Sequence, residues 1–211
     1  MPEERLGRPA TLGDDMRAVA VTRILHGAME ALANLGLGAT VDEVAAAAGV
    51  SRRTVFRHFP TQAQLFVAAI GAVKEIYDAH LPESTDAQEP IEEWLRLIAS
   101  RYHELNARYV GRAFWDVYIE RPGVAEPVLE AINDVARARY EYAKRVATST
   151  WHKAGGTGRP PAWVVDAFSL HLSAFATFAF PRHSPDKAGQ VCSRVLCAVL
   201  DAAVGTTAPS A

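Results

Sequence analysis

Apolar residues recur along this chain at steps of three and four, the spacing that gathers them on one face of an α-helix. No stretch sustains period-two alternation and no Asn-Gly or Asp-Gly pair marks a hairpin, so the pattern predicts an all-α protein. The first helix is expected over 14–35, with a stripe of Val21, Ile24, Leu25, Ala28, Met29 and Leu32 that Gly36 and Gly38 bring to an end. Thr40 opens a second helix. Glu43 lies three residues on, the arrangement of a capping box, and Val41, Val44, Ala45 and Ala48 form the buried face. The small side chains from Ala45 to Ala48 permit close approach by another helix. Gly49 breaks this helix after two turns, and Ser51 caps a third, which ends at Phe59-Pro60. Thr61 and Gln64 form a second capping box and open a fourth helix through Leu65, Phe66, Ala69, Ile70 and Val73. Two short helices joined by a tight glycine-containing turn make a helix-turn-helix.

Beyond a loop over 82–90, helical spacing resumes at 91–110 and 112–119. A connection marked by Pro122-Gly123 and Pro127 follows, then a long helix over 128–151, a loop over 155–161, and two last helices at 164–180 and 190–204. The expected organisation is a flexible arm over 1–13, a three-helix helix-turn-helix domain over 14–66, a helical bundle over 67–205 for ligand binding and dimerisation, and a flexible tail over 206–211. With 211 residues, 49% of them apolar, the chain has enough material for such a core.

Charge sharpens this picture at one place. Residues 1–66 hold seven arginines and seven carboxylates, yet 51–58 carry Arg52, Arg53 and Arg57 with no acid. The net charge of -2 excludes a globally basic nucleic-acid coat protein but leaves local DNA binding open. A helix entering a major groove about 12 Å wide must be short, anchored on its inner face, and furnished with donors outside. Val55 and Phe59 suit the anchor. Arg52, Arg53, Phe56 and Arg57 face the groove, and Thr40, Ser51, Thr54 and His58 lie near flanking phosphates. Arg5 and Arg8 precede the first helix, either as a minor-groove arm or as part of a disordered tail.

The string Thr40-Val41-Asp42-Glu43-Val44-Ala45, Ala48-Gly49-Val50-Ser51, Thr54-Val55-Phe56-Arg57-His58-Phe59, Thr61 and Leu65-Phe66 resembles the DNA-binding region of the tetracycline-repressor (TetR/AcrR) family over residues 22–66. Two positions depart from that pattern. Phe56 stands where the family usually has Tyr, and Gln62 where it usually has Lys, so two phosphate contacts are lost and a shallower salt dependence is expected.

The resemblance implies a transcriptional regulator, most simply a repressor released from a palindromic operator when a small, largely apolar ligand enters the bundle. It also implies a homodimer through the last two helices, where Val164, Phe168, Leu172, Phe175 and Ala179 share one face and Val191, Val195, Ala198 and Ala202 another. Residues 91–180 hold all four Trp, five of the six Tyr and five of the eight Phe. The implied pocket draws on Trp94, Tyr102, Phe114, Trp115, Tyr118, Trp151, Phe168 and Phe175, with His103, Asn106, Arg112 and His171 as polar groups; for most of these a plain core role competes.

Other classes have weaker support. The chain has no His-x-x-x-His, Gly-x-Ser-x-Gly or Walker motif, which leaves His103-Glu104 and Asp116 as the acid–base groups of an alternative small all-α enzyme. A regulator without a small-molecule ligand is the other alternative. Cys192 and Cys197 would point about 140° apart on a helix, so they read as small core residues. No catalytic residue, metal or cofactor is expected. Polar residues interrupt the most apolar segment, 162–180, and the expectation is a cytoplasmic protein that does not span a membrane.

Overall fold

In the computed structural model, which describes residues 12–82, 89–109, 112, 113, 116, 123–173, 176 and 183–207, the short N-terminal helices start and stop on their caps. Helix α1 (Leu12–Leu35) buries Ile24, Ala28, Met29, Ala31 and Leu32 and runs into a 3-10 turn at Gly36–Gly38. Thr40 then caps α2 (Val41–Ala48). Its Oγ1 accepts the Glu43 amide at 3.3 Å while the Glu43 carboxylate accepts the Thr40 amide at 2.7 Å, the complete capping box. The Thr40 amide first, and then its hydroxyl, hold the Glu43 carboxyl below its ordinary pKa. Ser51 caps α3 (Arg52–His58) by accepting the Thr54 amide at 3.1 Å, and Thr61 caps α4 (Gln62–His80) by accepting the Gln64 amide at 3.2 Å. Gln64 does not return a bond to Thr61, so the second expected box is formed on one side.

Two glycines set the geometry of the turn. Gly49 adopts φ +62°, a region that favours glycine, and with Val50 returns amides to the Ala45 and Ala46 carbonyls. At Gly27 the need is space. A Cβ there would lie 2.7 Å from the Ala48 nitrogen and 2.9 Å from the Val44 carbonyl oxygen, so α1 and α2 cross at backbone contact over the predicted alanine run. Arg23 of α1 fastens the turn by donating to the Ala48 and Gly49 carbonyls at 2.9 and 3.1 Å.

The bundle consists of the C-terminal part of α4 with α5 (Ile91–Tyr109), α6 (Glu126–Lys153), α7 (Ala162–His171) and α8 (Pro185–Thr207). Helix α8 packs along the length of α5; α6 packs on α7 and α4, while α1 touches α4 and α5. One apolar core runs from Ile24 to Ala203 through both regions. Helix α6 begins at Glu126, earlier than expected, because Pro127 sits in its first turn, where no amide bond is lost; α8 likewise begins at Pro185. Of the expected helix at 112–119, the described residues 112, 113 and 116 are helical. The second half of the helix expected at 164–180 lies largely outside the described residues, and α7 ends at His171. By length and composition α8 is apolar enough to cross a membrane.

Candidate nucleic-acid interface and bundle cavity

Helix α3 is held from beneath and open above. Val55 is buried, and Phe59 packs against the core at the helix end, while Ser51, Arg52, Arg53 and Arg57 are exposed. Thr40 is exposed beside them, with its side chain engaged by Glu43; Thr54 is half-buried, its hydroxyl 2.8 Å from that of Ser51. Phe56 is half-buried and carries the Arg52 guanidinium 5.3 Å above its ring. Arg52 also reaches across the turn to Asp42 at 2.5 Å. Both side chains of that pair are more than half exposed, so the bond is weak and open to competition from a phosphate. Arg53 and Arg57 are the more accessible donors.

His58 lies at the inner edge of this surface. Its Nε2 is buried without a hydrogen-bond partner, and burial, then Arg57 and Arg17, push its pKa down. At neutral pH the ring is therefore uncharged. Arg17 of α1 faces the same groove, about 560 Å³ in volume, as Met16, Ala20, Arg57 and His58. Nothing in the helical periodicity marks Arg17, because exposed arginines on α1 look alike until α3 is packed beside them. Gln62 donates to the Ala39 carbonyl at 2.7 Å, so the side chain standing in place of the family's Lys braces the α1–α2 connection.

A second feature lies between α4 and α6, a cavity of about 350 Å³. Leu81, Val135 and Ala138 give it apolar wall; Tyr77 and Tyr142 give it aromatic wall. Lys74, Asp78, Arg139 and Arg145 supply its charge. The Tyr77 hydroxyl donates to Asn106 Oδ1 at 2.5 Å and that of Tyr142 to the Pro82 carbonyl at 2.9 Å. Burial raises the pKa of both phenols, so both stay protonated.

Comparison with known proteins decides the family. The family profile described as "Bacterial regulatory proteins, tetR family" matches residues 24–69, which contain the capped helices, the Gly49 turn and α3. Over 164 residues the chain is 30% identical to the HTH-type transcriptional repressor LfrR of Mycolicibacterium smegmatis, an alignment covering 76% of this chain and 80% of that protein. The chain belongs to the TetR family of transcriptional regulators. The likeness extends to the whole architecture. A tetR-family regulator from Streptomyces coelicolor superposes with a TM-score of 0.64 at 20% identity, covering 89% of this chain and 82% of that one. A transcriptional regulator from Rhodococcus sp. Rha1 does so with a TM-score of 0.54 at 20% identity, covering 85% and 96%.

Within this TetR-family bundle, the aromatic residues expected at a pocket are distributed through the core. Trp94, Tyr102, Trp151 and Phe168 are at most 3% exposed, and none lines the α4–α6 cavity. Phe114, Trp115, Tyr118 and Phe175 lie outside the described residues. Of the polar candidates, His103 is buried 3.5 Å from Cys192 Sγ, and its pKa falls to about 4 through burial and then through His171. His171 bonds the Ala167 carbonyl at 2.8 Å. Asn106 links Tyr77 to the Ser173 carbonyl, one layer inward from the cavity, and Tyr102 meets Tyr77 edge-on at 5.5 Å. Asp116 accepts the Leu37 amide at 2.8 Å and Glu104 bonds Arg101 at 2.7 Å, so both carboxylates serve structural contacts. Among the described residues no group of three or more His, Cys, Asp or Glu side chains is placed to hold a metal ion. The cavity's own charged residues, Lys74, Asp78, Arg139 and Arg145, carry no sequence signal, since charges on amphipathic helices read as solvated faces.

Proposed function

We propose that this chain is a homodimeric repressor that grips a palindromic operator and releases it when a small, largely apolar molecule enters the helical bundle. The observation that carries this reading is α3, anchored by Val55 and presenting Arg52, Arg53 and Arg57 outward from a capped turn. Thr40, Ser51, Thr54, Phe56 and His58 complete the DNA face, since they surround those arginines. Residues 14–66 act as the DNA-binding unit and 67–205 as the regulatory and dimerising unit, although the helices run two residues past each outer bound, since α1 begins at Leu12 and α8 ends at Thr207. The name of the 30% identical relative supports repression.

Dimerisation through α7 and α8 is supported by the apolar surface they leave open. Trp163 and Leu170 lie seven residues apart on α7 and are 48% and 54% exposed. On α8, Val195, Ala198 and Ala202 are exposed at helical spacing, while Leu196, Leu200 and Ala203 are buried. A second copy applied by a two-fold axis would cover both strips, and the two α3 helices would then address half-sites about one helical turn apart. This reading makes α8 a core and interface helix and the protein cytoplasmic.

Release follows from α4, whose N-terminal half packs in the helix-turn-helix and whose C-terminal half walls the cavity with Lys74, Tyr77 and Asp78. A ligand shifts the DNA-free population only by its preference for that conformer. The test is fluorescence anisotropy of the full-length protein on fragments of DNA upstream of its own gene, with and without a small-molecule extract of the host cell. Selective binding relieved by extract is expected. Binding that no extract relieves would overturn ligand release and leave a regulator without an effector. Failure to bind any genomic fragment would overturn the DNA-binding reading and favour an enzyme.

A further inference from the structure

The face of α1 that fills the core runs on past the core. Ile24 and Ala28 are fully buried on it, Ala20 is half-buried one turn earlier, and Arg17 stands at the next step outward, exposed. Arg17 and Ile24 are seven residues apart, so they lie within about 20° of each other around the helix. The apolar stripe therefore ends in a charge that looks the same way as the buried residues.

Helix α1 packs on α2, α4 and α5. Between its first turns and the end of α3 runs a groove of about 560 Å³, with Met16, Arg17 and Ala20 on one side and Arg57 and His58 on the other. Both arginines bear on the histidine: after burial, Arg57 and then Arg17 oppose a proton on its ring. Two guanidinium groups thus flank one imidazole. Among the described residues no hydrogen bond or ion pair engages either arginine, whereas Arg52, on the same helix as Arg57, is held by Asp42. Like charges turned to one groove repel in the free protein, and an anion set between them reverses the sign of that interaction.

The groove is continuous with the α3 face through Arg57, which belongs to both. A duplex seated on α3 carries its phosphates along the borders of a major groove about 12 Å wide. A helix flanking the reading helix therefore meets strand backbone, not base edges. Met16 and Ala20 have no side-chain donor to offer it, while a guanidinium matches a phosphate with two parallel N–H bonds. Given that α3 reads the operator, we infer that Arg17 is a DNA-backbone anchor, which receives a phosphate of the strand bordering the major groove that α3 enters. Arg57 beside it stays with the base edges. Such a contact fixes register on the duplex and adds affinity without sequence preference.

Fluorescence anisotropy of the full-length protein tests this with two duplexes of equal length, the upstream fragment it binds most tightly and one of scrambled sequence. Arg17→Ala is expected to weaken both by about fivefold per bound protomer at about 0.15 M salt, leaving their ratio intact, and to make log K against log salt shallower by about 0.9 per protomer. Arg17→Lys keeps the charge and should restore the slope. The side chain is exposed, so the melting temperature should stay that of the parent. Duplexes carrying one neutral methylphosphonate at a time locate the contact: one position in each half-site should weaken the parent but not Arg17→Ala. A slope equal to the parent's, a loss confined to the specific duplex, or the lack of any such methylphosphonate position overturns the anchor. Arg53→Ala, measured in parallel, keeps this outcome apart from the operator reading. Lost selectivity in Arg53→Ala with an unchanged slope in Arg17→Ala removes the anchor and keeps α3 as the reading helix. The reverse pattern keeps the backbone contact and removes α3 as reader. A parent protein that binds neither duplex removes both.

Discussion

The helix-turn-helix and the bundle are held together by bonds of different reach. The caps of the first region join residues three apart, Thr40 with Glu43, Ser51 with Thr54 and Thr61 with Gln64. Its longer ties, Gln62 to Ala39 and Arg23 to Gly49, span 23 and 26 residues. In the bundle, Tyr142 reaches Pro82 across 60 residues, Asn106 reaches Ser173 across 67, and Arg96 bonds Asp186 across 90. Polar burial divides the same way. Among the described residues His103, Asn106, Asp116, Arg139, Thr150 and Ser193 are the buried polar side chains, all beyond residue 100. The DNA-facing region spends its charges on the surface and is scaffolded locally, whereas in the bundle His103, Asn106 and Asp116 are buried against partners 29 to 89 residues away; Thr150 and Ser193 bond carbonyls three or four residues back. Substitutions on the first should therefore move affinity more than stability, and substitutions in the second stability more than affinity. The Leu37 amide on Asp116 joins the two regions across 79 residues.

The largest expected effect is on affinity alone. Arg53→Ala with Arg57→Ala should weaken selective operator binding by about a hundredfold or more, since each base-edge arginine discriminates by about 1–3 kcal/mol. The melting temperature should hardly move, because both side chains are exposed. Unchanged selectivity, measured by anisotropy against competitor DNA, would remove α3 as the reading head and the comparison with it.

The second effect is on stability and runs through pH. The folded pKa of His103 is about 4, below its ordinary 6.5, so the fold holds the ring neutral while the unfolded chain takes up a proton. Stability present above pH 6.5 is lost as pH falls from there toward 4, by at most about 3 kcal/mol. His103→Gln should flatten this acid limb of the melting temperature while leaving operator affinity at neutral pH intact. Parallel melting curves for the two proteins over pH 4–7 would show that the buried imidazole contributes nothing to the acid sensitivity.

The smallest effect sharpens the surface side of the comparison. Asp42 holds Arg52 at 2.5 Å, and on the proposed DNA face it would compete with phosphate for that arginine. Asp42→Asn should tighten operator binding by at most about fivefold and steepen its salt dependence, as one more arginine becomes available to phosphate. A salt slope equal to that of the parent would place Arg52 off the DNA.

Much of the DNA-binding region was legible in the sequence because its determinants are close neighbours. A cap, a left-handed glycine, a buried Val55 and three arginines fall within 20 residues, and each states its role through local backbone chemistry. What was not legible there are the cross-helix partners. Arg23 on the Gly49 turn, Arg17 beside His58 and Asp42 on Arg52 depend on how α1 and α2 lie against α3. In the bundle the aromatic positions identified a densely packed interior, and Trp94, Trp151 and Phe168 do form core. The α4–α6 cavity lies elsewhere, because cavities arise where helices fail to fill space together, and no single helix records that failure.

The sequence by itself determined the helical class, the order and caps of the first helices, and which short helix carries three arginines and no acid, since those properties depend on residues close together in the chain. Tertiary structure alone decided that Arg139 and Arg145 share a cavity with Tyr77, and that Asp116 reaches the turn after α1. These partners lie tens of residues apart, and the crossing of packed helices, rather than any local preference, brings them within bonding distance.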